Sequence, residues 1–94
     1  MEQAIDKTEL KVKCSALGNS VRIHIMEVLS DKPCTSWEII EKTKLTESKL
    51  YYHLSKLVTA GLICLSKQEG QGRYCISREG MISLIKDLLL FDRG

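Results

Sequence analysis

The chain has no long apolar run. Nowhere do its hydrophobic residues approach the roughly 20 consecutive positions that a membrane-spanning helix needs, and the opening MEQAIDKTEL has no apolar stretch of the signal-peptide kind. No membrane partner is expected, and the cytoplasm is the expected compartment. Proline is nearly missing, with one residue in 94, and glycine is sparse, with six. Neither collects into a linker, so they act as punctuation between elements. There is no internal repeat and no low-complexity segment. A chain of this length buries one hydrophobic core, so residues 1–94 read as one domain.

Metal and catalytic patterns are missing as well. The four cysteines, at 14, 34, 64 and 75, are separated by 20, 30 and 11 positions, which fits neither a zinc ribbon nor a thioredoxin-like pair. Reduced, half-buried thiols are the default in a cytosolic chain, and Cys14 and Cys34 are expected as small core residues. His24 and His53 have no second histidine or carboxylate at ligand spacing and read as packing residues. No nucleophile and base stand at catalytic spacing, and no glycine loop offers to cradle a phosphate. An enzyme is not expected, nor is a metal or cofactor.

The formal net charge is only +2, too little by itself to argue for nucleic acid. Its distribution says more. From Lys44 to Arg78 the basic residues are Lys44, Lys49, Lys56, Lys67, Arg73 and Arg78, against Glu47 and Glu69, a balance of +4 that leaves −2 for the remainder. The second half is the basic half, as an electrostatic footprint for phosphates requires.

Helical spacing lays out five helices, with a hairpin before the last. The first runs from about Ile5 to Leu17, with Ile5, Val12 and Ala16 on one side and Leu10, Cys14 and Leu17 on another. The second, in SVRIHIMEVLS, aligns Val21, Ile25, Val28 and Leu29, and Arg22 projects toward this apolar side, where its stem packs and its head finds a carbonyl or carboxylate. Asp31-Lys32-Pro33 stops it. Thr35-Ser36-Trp37-Glu38 is a capping box that starts a third helix, with Trp37 and Ile40 as its expected core contacts. After a short turn from Thr43 to Leu45, Thr46 caps a fourth helix over 47–60, where Leu50, Leu54 and Leu57 stand one turn apart and Gly61 is the stop. Two short helices joined this way, the second flanked by basic residues, form the helix-turn-helix pattern. LICLSK and RYCIS then read as two strands around the turn Gln68-Glu69-Gly70-Gln71-Gly72, a wing over 62–77. Ser77 caps a last helix over 78–91. The expected class is α+β, mainly α: a winged helix-turn-helix with five helices and a β-hairpin wing.

In order and spacing these segments resemble the ArsR-type winged-helix repressors over nearly the whole chain. LGNSVRIHIMEVLSDKPCTSWEI looks like that family's second helix and short first strand, KLTESKLYYHLSKLVTAGLI like its recognition helix, and the glycine-containing hairpin like its wing. The resemblance implies a homodimer on a roughly two-fold symmetric DNA operator, with the first and last helices at the dimer interface. The sequence departs from the metal sensors of that family: SWEIIEKTK holds no cysteine and the final helix no histidine. A metal or small-molecule effector is not indicated.

Counting about 100° per residue along the fourth helix, Ser48, Tyr52, Ser55 and Thr59 lie opposite the leucines, flanked by Lys49 and Lys56. Ser48, Lys49, Tyr52 and Lys56 are the candidate contacts to double-stranded DNA, in the major groove or on its phosphates; the alternative is an ordinary solvated helix face. In the wing, Lys67 and Arg73 flank the glycine-rich tip, suited to a phosphate backbone or the minor groove, or else to a charged edge that prevents aggregation. Cys64 and Cys75 face each other only if the hairpin register centres near Glu69-Gly70, which the sequence leaves open. In the last helix Met81, Ile82, Leu84, Ile85, Leu88, Leu89 and Phe91 cover about half the circumference, more than the roughly 100° stripe a domain-facing helix needs. With the first helix that the resemblance also brings to the interface, Ile5, Leu10, Ile82, Ile85 and Leu89 are the candidate dimer contacts. The competing function is a winged helix that binds protein inside a larger transcription assembly.

Overall fold

The computed structural model describes residues 7–68 and 70–91. Its elements run α1 (Lys7–Leu17), α2 (Ser20–Asp31), α3 (Ser36–Thr43), α4 (Glu47–Thr59), β1 (Ile63–Gln68), β2 (Gln71–Ile76) and α5 (Arg78–Phe91). The expected class is the observed one. Ile5 lies outside the described residues.

Short polar side chains start the helices where the sequence places them. Thr35 Oγ1 accepts from the Glu38 amide while Glu38 Oε1 accepts from the Thr35 amide at 2.9 Å, a complete capping box. Thr46 Oγ1 takes the Lys49 amide, and Ser77 Oγ takes that of Gly80. Asn19 does the same for α2, its Oδ1 accepting from Val21 and Arg22. At the far end of α4, Gly61 at φ 74° lets Leu62 N–H reach the Leu57 carbonyl and Gly61 N–H reach that of Val58. This closing motif needs a left-handed residue, and it buries Leu62 as the chain turns into β1.

Ile25, Ile39, Leu50, Leu54, Leu57 and Leu62 are fully enclosed, and α1, α2, α3, α4 and α5 all contribute to the cluster around them. Cys34 joins this core as expected. Cys14 does not: it faces solvent on α1, because the buried stripe there is Leu10, Lys13 and Ala16. Trp37 is a second correction. It is 68% exposed, while Ile39 is fully buried and Ile40 packs at the edge. Two residues are about 200° apart on a helix, so once Ile39 points inward Trp37 must point out.

The strands pair antiparallel with Ile63 opposite Ile76, Cys64 opposite Cys75, Ser66 opposite Arg73 and Gln68 opposite Gln71. The connection is shorter than the five-residue turn expected, since Gln71 and Gly72 belong to the ladder and Gly70, at φ 80°, makes the reversal. The short first strand that the resemblance implies is a single bridge here, with Cys34 N–H donating to the Tyr74 carbonyl and Tyr74 N–H to that of Cys34 at 2.7 Å. It ties the wing's base to the entrance of α3. Helix α5 buries Leu84, packs Met81 on the core, and leaves Ile82, Ile85, Leu88 and Leu89 exposed. Leu10 belongs to the chain's own core and so does not offer the surface contact the sequence suggested.

Candidate nucleic-acid interface

Helix α4 buries Leu50, Leu54 and Leu57 and exposes everything between them except His53, which is half-buried. The exposed face therefore carries Ser48, Lys49, Tyr52, Ser55, Lys56 and Thr59, as the helical count predicts. Lys56 Nζ stands 5.5 Å from the centre of the Tyr52 ring, a cation–π pair one turn apart that helps hold the tyrosine. Beside this face runs a groove of about 600 Å³ between α1 and α4, where Lys11, Val12 and Ser15 face Tyr52, Ser55 and Lys56. Lys11 and Arg22 line the groove as well, so with Lys56 it carries three cationic side chains.

Arg22 reaches across the back of α4. Its Nε donates to the Ala16 carbonyl at 2.7 Å, its Nη2 to that of Ser15, and its Nη1 to His53 Nδ1 at 3.2 Å. One buried guanidinium thus satisfies the C-terminal carbonyls of α1 and orients a side chain of α4. Because the guanidinium has no lone pair to offer, His53 must accept at Nδ1. Partial burial and the neighbouring Arg22 charge both push the His53 pKa below its ordinary 6.5. His53 is a packing residue, as expected.

The wing brings its two cations to different places. Lys67 is exposed near the tip, opposite Gly72. Arg73 is only a third exposed, and its Nη1 donates to Glu38 Oε1 at 3.0 Å while Nη2 donates to Gln71 Oε1. The glutamate that completes the α3 capping box therefore also anchors the wing. The Thr35 amide bond, backed by its hydroxyl and by Arg73, holds the Glu38 carboxyl below its ordinary range despite some desolvation.

Residues 19–64 match the family model described as "Bacterial regulatory protein, arsR family". Over that stretch, which spans α2 to the start of β1, the chain is similar to the ArsR-family helix-turn-helix. Solved structures extend the likeness over nearly the whole length. HlyU from Vibrio cholerae N16961 is 26% identical, aligned over 96% of this chain and 94% of its own, with a TM-score of 0.71. An ArsR-like transcriptional regulator from Rhodococcus sp. RHA1 is 18% identical over 93% of this chain and 82% of its own, with a TM-score of 0.86. The homodimeric winged helix-turn-helix DNA-binding domain (fragment 1–100) of Mb0332 from Mycobacterium bovis is 17% identical over 99% and 93%, with a TM-score of 0.72. No curated relative matches the sequence.

In this ArsR-type frame α3 and α4 are the helix-turn-helix and β1–β2 the wing. Sequence reasoning did not single out Tyr51, whose hydroxyl donates to Ser36 Oγ at 3.3 Å and so joins α4 to the first turn of α3. It also missed that Ser36, Trp37, Gln71 and Arg73 line a second groove, of about 520 Å³, between α3 and the wing. The capping box was the available signal, because it places Ser36 and Trp37 in the first turn of α3. Among the described residues no three His, Cys, Asp or Glu side chains gather as a metal site requires, and no helix is long and apolar enough to cross a membrane.

Proposed function

We propose that this chain is a homodimeric transcription regulator of the ArsR family that reads a two-fold symmetric operator with α4 in the major groove and the wing on the adjacent backbone or minor groove. The observation that carries the proposal is the division of α4: three leucines lock one face into the core, while hydroxyls and ammonium groups occupy the other. Rigid seating of this kind gives side chains the fixed geometry that base-edge hydrogen bonds need.

Ser48 and Tyr52 are the proposed base contacts, with Lys49 and Lys56 on phosphates. Lys67 meets the backbone from the wing tip. Arg73, held by Glu38, keeps N–H donors for a phosphate while fixing the wing's angle to α3. Ile82, Ile85 and Leu89, joined by Leu88, form the dimer face of α5, too apolar to face water. The two copies of α4 would then meet successive turns of the duplex, and the homodimeric domain of similar fold from Mycobacterium bovis supports that arrangement.

Selecting bound duplexes from a random pool tests the proposal. It should return a palindrome whose half-site centres are about 10 base pairs, or a multiple, apart, with affinity that falls steeply with salt. Failure to bind any duplex at low salt would instead favour the protein-interaction reading.

A further inference from the structure

The wing holds a pair of groups that DNA recognition does not use. Cys64 and Cys75 are cross-strand partners with their Sγ atoms 3.0 Å apart. Two neighbouring contacts fix the kind of pair they form. Ser77 N–H donates to the Leu62 carbonyl, and Tyr74 spends its own N–H and carbonyl on Cys34, away from β1. Antiparallel ladders alternate, so Cys64 and Cys75 occupy a hydrogen-bonded pair, where Cα atoms stand about 5.5 Å apart. That separation lies within what a disulfide spans, and only about 1 Å of sulfur movement separates the contact from a bond. Cys64 is exposed and Cys75 half-buried, so solvent reaches the pair, whereas Cys34 is enclosed. Exposed disulfides are the readily exchanged ones.

We infer that Cys64 and Cys75 form a thiol–disulfide exchange site whose substrate is a low-molecular-weight disulfide of the glutathione class. The Cys64 thiolate attacks one sulfur of the small disulfide, breaking its S–S bond. One small thiolate leaves and takes up the proton that Cys64 gave, and a mixed disulfide remains on Cys64. Cys75 then loses its proton and attacks Cys64 Sγ, expelling the second small thiolate, which takes that proton. Two protein thiols are oxidised to one disulfide, and one small disulfide is reduced to two thiols. The order follows from exposure and from the Cys75 thiol, whose contact with Cys64 and partial burial raise its pKa and disfavour its thiolate as the first attacker. Arg73 stands two residues before Cys75 on the same face of β2 and binds Glu38 of α3, so the bridge would set the strands beside the wing's anchor.

The test needs no DNA. The full chain is equilibrated in mixtures of oxidised and reduced glutathione, its free thiols are alkylated, and its peptides are mapped by mass. The expected main oxidised species carries a Cys64–Cys75 bridge, reverts in excess reduced glutathione, and leaves Cys14 and Cys34 alkylatable after denaturation. Cys75→Ser, with its fold checked by circular dichroism, should stop at a glutathione adduct on Cys64. A wild-type chain that itself stops at that adduct, or whose main product is a bridge between chains or through Cys14, overturns the inference.

Discussion

Arg22 and His53 meet where α1, α2 and α4 come together. Arg22 is about 9% exposed, yet its guanidinium binds two carbonyls of α1 and the imidazole of His53. Arg22→Met keeps the packed stem but strands the Ala16 carbonyl, and should cost roughly 1–3 kcal/mol of stability in urea titrations. His53 supplies a pH signature. Its folded pKa lies below the unfolded value, so the unfolded chain binds a proton more readily. This contribution to stability is intact above about pH 6.5 and is lost as the pH falls from there toward the folded pKa. The urea midpoint should drop over that window, and His53→Gln should remove that step. An NMR titration placing the folded pKa above 6.5 would contradict the assignment. At this scale the sequence was partly legible. Arg22's turn toward the apolar side followed from helical phase, but Lys13, buried with its Nζ donating to Ser83 Oγ of α5, had no such signal, because an approaching helix decides whether a lysine stem is covered.

The elements were legible wherever local chemistry fixes them. Thr35, Thr46 and Ser77 mark helix starts because their oxygens satisfy amides that a helix leaves open, and Gly61 marks a stop because it alone meets no penalty at φ 74°. Phase inside α3 was harder. A short apolar set, Trp37, Ile39 and Ile40, fits more than one face, and only the position of α2 selects Ile39. The hairpin register was left open for a similar reason: the tip contains two glycines, Gly70 and Gly72, and either can turn the chain. The close seating of α5 on the α4–β1 turn was equally invisible. A Cβ at Gly80 would overlap the carbonyl oxygen of Gly61, so Gly80→Ala must push the first turn of α5 off that turn. Overpacking of this kind typically costs about 1–3 kcal/mol, and more where backbone must move. Thermal unfolding of the variant should show the loss; an unchanged midpoint would mean that α5 is not seated there.

For the whole molecule, dimerisation and DNA reading are the two proposed properties that depend on surfaces rather than on the core. The exposed residues Ile82, Ile85, Leu88 and Leu89 should place the chain as a dimer in sedimentation at tens of micromolar, and Ile85→Glu with Leu89→Glu should leave a folded monomer. A wild-type monomer at that concentration would remove the two-fold operator model. The most direct test of the central claim compares affinities for the selected operator and for random duplex across salt concentrations, in folded dimers. Ser48→Ala and Tyr52→Ala should each erode the discrimination between the two by about 1–3 kcal/mol. Lys67→Ala should weaken both duplexes alike and lower the magnitude of the log–log salt slope by about one. If the Ser48 and Tyr52 variants keep full specificity while the Lys67 variant loses it, α4 is not the reading helix and the account is wrong.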